Sequence, residues 1–208
     1  CLRSLLLIEV CPSDCVASIS DVLRAPLTRA DLQRTFRNRI EVPEMRTTEA
    51  TSARNPAYLD LLGSGTLEDR VQLASQHLEQ CDLCARYCRV NRLKTTEGAV
   101  CKTGEQALVY SFGPHFGEEE PISGWMGSGA IFFGRCNLHC VYCQNWEISQ
   151  TGAGRSATPD QIALMMLALQ KRGCHNINLV SPSHVVAQIL SAIFIAAQHG
   201  LHIPLVYN

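Results

Sequence analysis

Three cysteines, Cys136, Cys140 and Cys143, stand at C-x3-C-x2-C spacing in the run Gly134-Arg135-Cys136-Asn137-Leu138-His139-Cys140-Val141-Tyr142-Cys143-Gln144-Asn145. They follow the apolar stretch Ala130-Ile131-Phe132-Phe133, which reads as a buried strand. A strand that empties into a short loop of three thiols fixes the local design. Three thiolates on one loop can grip three irons of a [4Fe–4S] cube, and the loop supplies no fourth ligand, so one iron is left open. An open metal position separates a reactive centre from a structural one, as it does for zinc. Two other readings of the same residues stand beside this one: a zinc site, and a closed four-thiolate cluster that borrows Cys174 or another distant cysteine.

The chain holds eleven cysteines in 208 residues. A secreted disulfide framework normally shows an even number in a shorter chain, whereas these fall into close-spaced groups, which favours metal ligation in a reducing compartment. The second group is Cys81-x2-Cys84-x3-Cys88-x12-Cys101. Four thiolates close a tetrahedral zinc site or a second iron–sulfur cluster. Arg86, Arg89, Arg92 and Lys94 would offset the negative charge, and Gly98 allows the turn that brings Cys101 back. A closed site has no position for substrate, so a structural role is the simplest. The plainer alternative is a set of separate core or surface thiols. Cys174 reads as a small buried thiol, and Cys1, Cys11 and Cys15 receive no role.

Apolar residues make up 46% of the chain, enough for a core, and the net charge of −1 gives no bulk surface for nucleic acid or membrane. The longest apolar stretch, Val185 to Ala197, is too short and too interrupted to span a bilayer. Leu5-Leu6-Leu7-Ile8, followed by Glu9, is no clean signal peptide. Arg24 to Arg39 is Arg-rich in the manner of an organellar transit peptide, but Asp14, Asp21 and Asp31 argue against one. The expected location is cytoplasmic. Both ends read as fragment boundaries. The expected divisions are a poorly specified tail over 1–55, a helical and cysteine-rich extension over 56–125, and an α/β unit over 126–208.

Periodicity fills in that plan. An amphipathic helix is expected from Leu67 to Gln80, with Thr66 and Asp69 as a capping box and Leu67, Val71, Ala74 and Leu78 as its stripe. A Gly-rich connection runs from Phe112 to Gly129. Within it, the run Gly113 to Pro121 reads as a solvated loop, the alternative being that His115 and Glu118 to Glu120 line a substrate opening. Strand Ala130–Phe133 leads to the cluster loop. A helix begins at Thr158-Pro159-Asp160-Gln161 with Thr as N-cap and Gln closing a capping box. Strand Asn176–Val180, a helix from Ser183 to His199 and strand Ile203–Tyr207 complete a β-α-β-α-β order. That order predicts a parallel sheet with right-handed crossovers and a site at the carboxyl ends of its strands.

The cluster loop, with Tyr142 just before its last cysteine, resembles that of the radical S-adenosylmethionine (SAM) enzymes. The stretch Gly127-Ser128-Gly129-Ala130-Ile131-Phe132-Phe133 through Cys143-Gln144-Asn145 resembles a narrower branch, similar to pyruvate formate-lyase activating enzyme. That similarity runs from about Pro56 to the C-terminus and includes the cysteine-rich extension. The resemblance implies a partial (βα) barrel of six units, cut here after the third strand and preceded by the metal-binding extension. It implies that Cys136, Cys140 and Cys143 hold a [4Fe–4S] cluster whose open iron chelates SAM, with Tyr142 near the adenine. It implies an electron donor such as a flavodoxin or ferredoxin, reductive cleavage of SAM and hydrogen-atom abstraction, in this branch from a protein glycine. One departure stands out. Members commonly carry a Gly-Gly-Glu-like turn after the second strand to hold the SAM amino group, but Val180-Ser181-Pro182-Ser183-His184 holds no carboxylate. Ser181, Ser183 or His184 are the polar candidates there, against the plainer reading of Ser183 as a helix cap. The competing class is a non-enzymatic zinc or iron–sulfur scaffold, or an inactive fragment.

Overall fold

The computed structural model describes residues 55–208. The readings for Cys1, Cys11, Cys15 and the Arg24–Arg39 segment lie outside the described residues. In chain order the elements are α1 Ala57–Gly63, α2 Thr66–Gln76, β1 Ala107–His115, α3 Glu120–Ser123, β2 Ser128–Phe133, α4 Trp146–Thr151, β3 Arg155–Ala157, α5 Pro159–Lys171, β4 Ile177–Val180, a 3-10 turn Ser183–Val185, α6 Val186–Gln198 and β5 Leu205–Tyr207.

The strands form one sheet in the order β3-β1-β2-β4-β5. β2, β4 and β5 are parallel, as the alternating pattern predicts. β2 pairs on both sides, so its sequence Ser-Gly-Ala-Ile-Phe-Phe is almost wholly buried. α5 and α6 cover the face that carries Ile131, Phe133, Ile177 and Leu179, burying Ile162, Met165, Met166 and Leu169 from α5 and Ile189, Ala192 and Ile193 from α6. α5 starts where its cap directs: Thr158 Oγ1 accepts from the Gln161 amide at 3.4 Å, and Gln161 Oε1 accepts from the Thr158 amide at 2.9 Å. α1 and α2 pack outside α6. Ala74, Leu78 and Ala187 make a small apolar cluster there, and Tyr58 Oη donates to the Ile203 carbonyl at 2.8 Å.

Four expectations are corrected. The sheet is mixed, not parallel throughout, because β1 pairs antiparallel with β2 and with β3. β1 occupies the start of what reads as a Gly-rich connection. A bulge between Val109 and Ser111 breaks its alternation, and Gly113 and Pro114 carry no strand signal. The helix expected at Leu67–Gln80 ends at Gln76 and has no capping box. Gly65, at φ 78°, takes the cap position, and Thr66, already helical, meets Ser64 Oγ at 2.9 Å instead. Ser183 does not cap α6. It opens the 3-10 turn, and its Oγ accepts from Tyr207 Oη at 3.2 Å.

Candidate metal centre

The cluster loop leaves β2 at the carboxyl end of the parallel strands. Gly134 makes the exit: a Cβ there would stand 2.6 Å from the Ala153 carbonyl oxygen and 2.8 Å from Leu108 Cδ2. Arg135 (φ 65°) and His139 (φ 56°) take left-handed backbone on either side of Cys136, and the Arg135 amide donates to the Ile148 carbonyl at 2.8 Å. Cys140 and Cys143 share a turn, closed by the Cys143 amide on the Cys140 carbonyl at 3.3 Å. All three thiols therefore lie on one loop at one end of the sheet. Among the described residues, no three Cys, His, Asp or Glu side chains converge closely enough to hold a metal ion. The donor chemistry nonetheless fits an iron–sulfur group. The thiols are soft iron ligands, and the Leu138 amide points at Cys136 Sγ at 3.4 Å, the kind of hydrogen bond cluster sulfurs accept. Cys143 Sγ lies 3.5 Å from Ser149 Oγ, while Cys140 is exposed. Val141 (97% exposed) and Tyr142 (88%) project beside them, so Tyr142 is open to stack on a ligand.

Cys174 does not join the loop. It is 2% exposed, burial pushes its thiol pKa up, and a Cβ on Gly129 would lie 3.3 Å from its Cβ. It thus sits at the amino end of β2, roughly 17 Å below the loop at about 3.3 Å per strand residue. The closed cluster that borrows Cys174 is excluded by the length of β2.

The turn after β4 ends on the same side as the loop. Ser181 (φ 59°) donates its amide to the Asn208 carbonyl at 3.1 Å. His184 is 1% exposed, and its Nε2 lies 3.1 Å from the Gly134 carbonyl. A carbonyl only accepts, so Nε2 carries a proton. Burial pulls the His184 pKa down to about 4, with the Arg92 and Arg135 charges pulling the same way against the backbone bonds to Gly134 and Ser181. His184 is therefore a neutral strut under the cluster loop.

The second cysteine group folds against this strut. The Cys81 amide donates to the Val90 carbonyl at 3.0 Å, and the Arg89 amide to the Cys81 carbonyl at 2.8 Å. The Val100 amide points at Cys88 Sγ at 3.5 Å, which brings the Cys101 turn beside Cys88. Cys81 and Cys101 are buried, and Cys84 and Cys88 are half-buried. Arg92, 2% exposed, donates to the carbonyls of Thr103 (2.7 Å), Gly104 (3.2 Å) and His184 (2.7 Å), and to Cys81 Sγ at 3.7 Å. Arg86 donates from Nε to the Asn137 carbonyl at 2.7 Å and from Nη2 to the Leu138 carbonyl at 2.9 Å. Charge compensation is the only role the sequence offers these arginines. Their bonds to carbonyls across the chain leave no trace in residue spacing.

The Gly113–Pro121 run is only partly a solvated loop. His115 belongs to β1 and lies 6.1 Å, ring to ring, from Phe132. Glu118 Oε1 accepts from Asn178 Nδ2, on β4, at 3.0 Å, while Glu119 and Glu120 are exposed. Register places His115, Phe132 and Asn178 on the sheet face that α5 and α6 leave uncovered.

Residues 130–207, from β2 through β5, match the radical SAM superfamily. The mixed five-stranded sheet is consistent with a partial fold of that type. The superfamily generally binds a [4Fe–4S] cluster and SAM. An uncharacterized protein of Methanocaldococcus jannaschii, MJ0674, is 37% identical over 92 residues, covering 44% of this chain. Those residues amount to 25% of that relative, so this chain spans about a quarter of its length. No solved structure matches the chain. Among the described residues, no helix is long and apolar enough to cross a membrane.

Proposed function

We propose that the chain is the cluster-bearing part of a radical SAM enzyme, with Cys136, Cys140 and Cys143 as ligands of a [4Fe–4S] cluster open at one iron. The observation that carries this reading is the position of three thiols on one loop at the carboxyl end of β2, a strand paired in parallel with β4. When bound, the cluster supplies the electron that cleaves SAM to methionine and a 5′-deoxyadenosyl radical, which takes a hydrogen atom from the substrate. The chain's own part is to hold and shield. Tyr142 offers an aromatic face to the adenine. Ser181 and Ser183, at the same end of the sheet, offer hydroxyls to the polar groups of SAM. His184 is committed to Gly134 and holds the loop instead. Cys81, Cys84, Cys88 and Cys101 act in this reading as a structural site, for zinc or a second cluster. A flavodoxin- or ferredoxin-type donor supplies the electron.

The finer assignment, hydrogen abstraction from a protein glycine, rests on the resemblance of the Gly127–Asn145 stretch to pyruvate formate-lyase activating enzyme alone. The test is anaerobic reconstitution with iron and sulfide, then EPR of the dithionite-reduced protein with and without SAM. A [4Fe–4S]⁺ signal that changes shape on adding SAM is expected. A signal blind to SAM, or zinc in place of iron, overturns the enzyme reading in favour of a metal-binding scaffold.

A further inference from the structure

Two bridges run from the Cys81–Cys101 segment to the cluster loop. Arg86, between Cys84 and Cys88, forks onto the Asn137 and Leu138 carbonyls. Arg92 holds the His184 carbonyl, and the His184 ring holds Gly134. The segment thus grips the loop both at its root and between its first two cysteines. Strain on both sides of the contact points the same way. Arg135 and His139 in the loop, and Tyr87 and Arg89 in the segment, are non-glycine residues at positive φ. Such conformations persist only where surrounding contacts over-determine them. The Arg86 fork engages carbonyls that lie between the two strained positions of the loop. A guanidinium suits this task because its donors are planar and fixed, whereas an ammonium offers one mobile point charge.

We infer that Arg86 is a positioning residue for the cluster loop, fixing the peptides between Cys136 and Cys140, and that its charge makes a centre held by the three cysteines easier to reduce. The first half depends only on the loop. The second rests on the iron–sulfur reading above, since a cation beside a cluster stabilises the added electron. Arg86 is exposed, so its removal leaves the core intact.

The experiment uses the whole chain with Arg86→Ala, Arg86→Gln and Arg86→Lys. Amide hydrogen exchange of the iron-free protein reads the loop without any cluster. Exchange across residues 134–143 should quicken severalfold in Arg86→Ala and Arg86→Gln, less in Arg86→Lys, with α5 unchanged as the internal control. Redox titration of the reconstituted protein, followed by EPR, reads the charge. The midpoint should fall in Arg86→Gln and stay near wild type in Arg86→Lys. Unchanged loop exchange in Arg86→Ala overturns the positioning role whatever the iron result. An unchanged midpoint in Arg86→Gln overturns the electrostatic half. A wild-type protein that takes up no iron and sulfide sinks the cluster reading and the electrostatic half with it, and exchange still decides the positioning role.

Discussion

His184 gives the chain a specific sensitivity to acid. Its ring is buried between the cysteine-rich segment and the root of the cluster loop, with the Arg92 and Arg135 charges nearby. Its pKa falls from an ordinary 6.5 to about 4. The folded value lies below the unfolded one, so between them the unfolded chain binds more protons and stability rises with pH. The contribution is whole above the unfolded value and is lost as pH falls toward the folded one. Integrated from pH 7 down to about pH 4.5, the loss is about 2 kcal/mol, roughly a 30-fold change in the unfolding equilibrium. Urea unfolding at a series of pH values should show the midpoint dropping on the order of 1 M over that interval. His184→Gln keeps a donor for Gly134 but does not titrate, and should flatten the drop. Asp82 does not confuse the result. His77, with Arg89, holds its carboxyl below the usual range, so its contribution is lost only at lower pH. A His184→Gln protein that loses as much stability as wild type would refute the argument that burial keeps this ring neutral.

Two further outcomes check the site and the fold. Cys140→Ser should lower iron bound after anaerobic reconstitution severalfold, while Cys174→Ser leaves it unchanged; equal losses would show that the strand length does not separate them. Thr158→Ala should lower the unfolding free energy by about 1 kcal/mol through loss of its cap, whereas Ser183→Ala, which removes only the Tyr207 contact, should change it by less than about 0.5 kcal/mol. Denaturant titration of both variants decides this, and a larger effect at Ser183 would restore its reading as a cap.

The parallel half of the fold was legible because each of its signals is local. Thr158-Pro159-Asp160-Gln161 carries a cap, a first-turn proline and a capping-box glutamine within four residues, and all three act as the pattern says. Thr66 and Ser183 show the limit of the same logic. A hydroxyl caps only if its backbone stays outside the helix. Gly65 had already made the turn before Thr66, and Pro182 started a 3-10 turn before α6. β1 was hidden for another reason. Its pairing with β2 is non-local, and its bulge, Gly113 and Pro114 erase the period-two pattern. At the site, cysteine spacing was legible because ligands of one centre must sit close in sequence when one loop supplies them. Arg86, Arg92 and His184 act over 51, 92 and 50 residues. No periodicity encodes a side chain that reaches a distant carbonyl.

Arg92 links the cysteine-rich segment to the turn that carries His184. A guanidinium 2% exposed must have its donors met, and removing an acceptor would strand a buried charge. Its acceptors come from Cys81, from Thr103 and Gly104, and from His184. None is a carboxylate, so the charge is balanced by backbone dipoles and one sulfur. The cysteine-rich segment therefore cannot lift away without leaving Arg92 unsatisfied, and the His184 carbonyl cannot move without the same cost. Since the His184 ring also holds Gly134, Cys81 is joined to the root of the cluster loop by three hydrogen bonds in series, through Arg92 and then His184. By this route the cysteine-rich segment is tied to the root of the loop that carries Cys136.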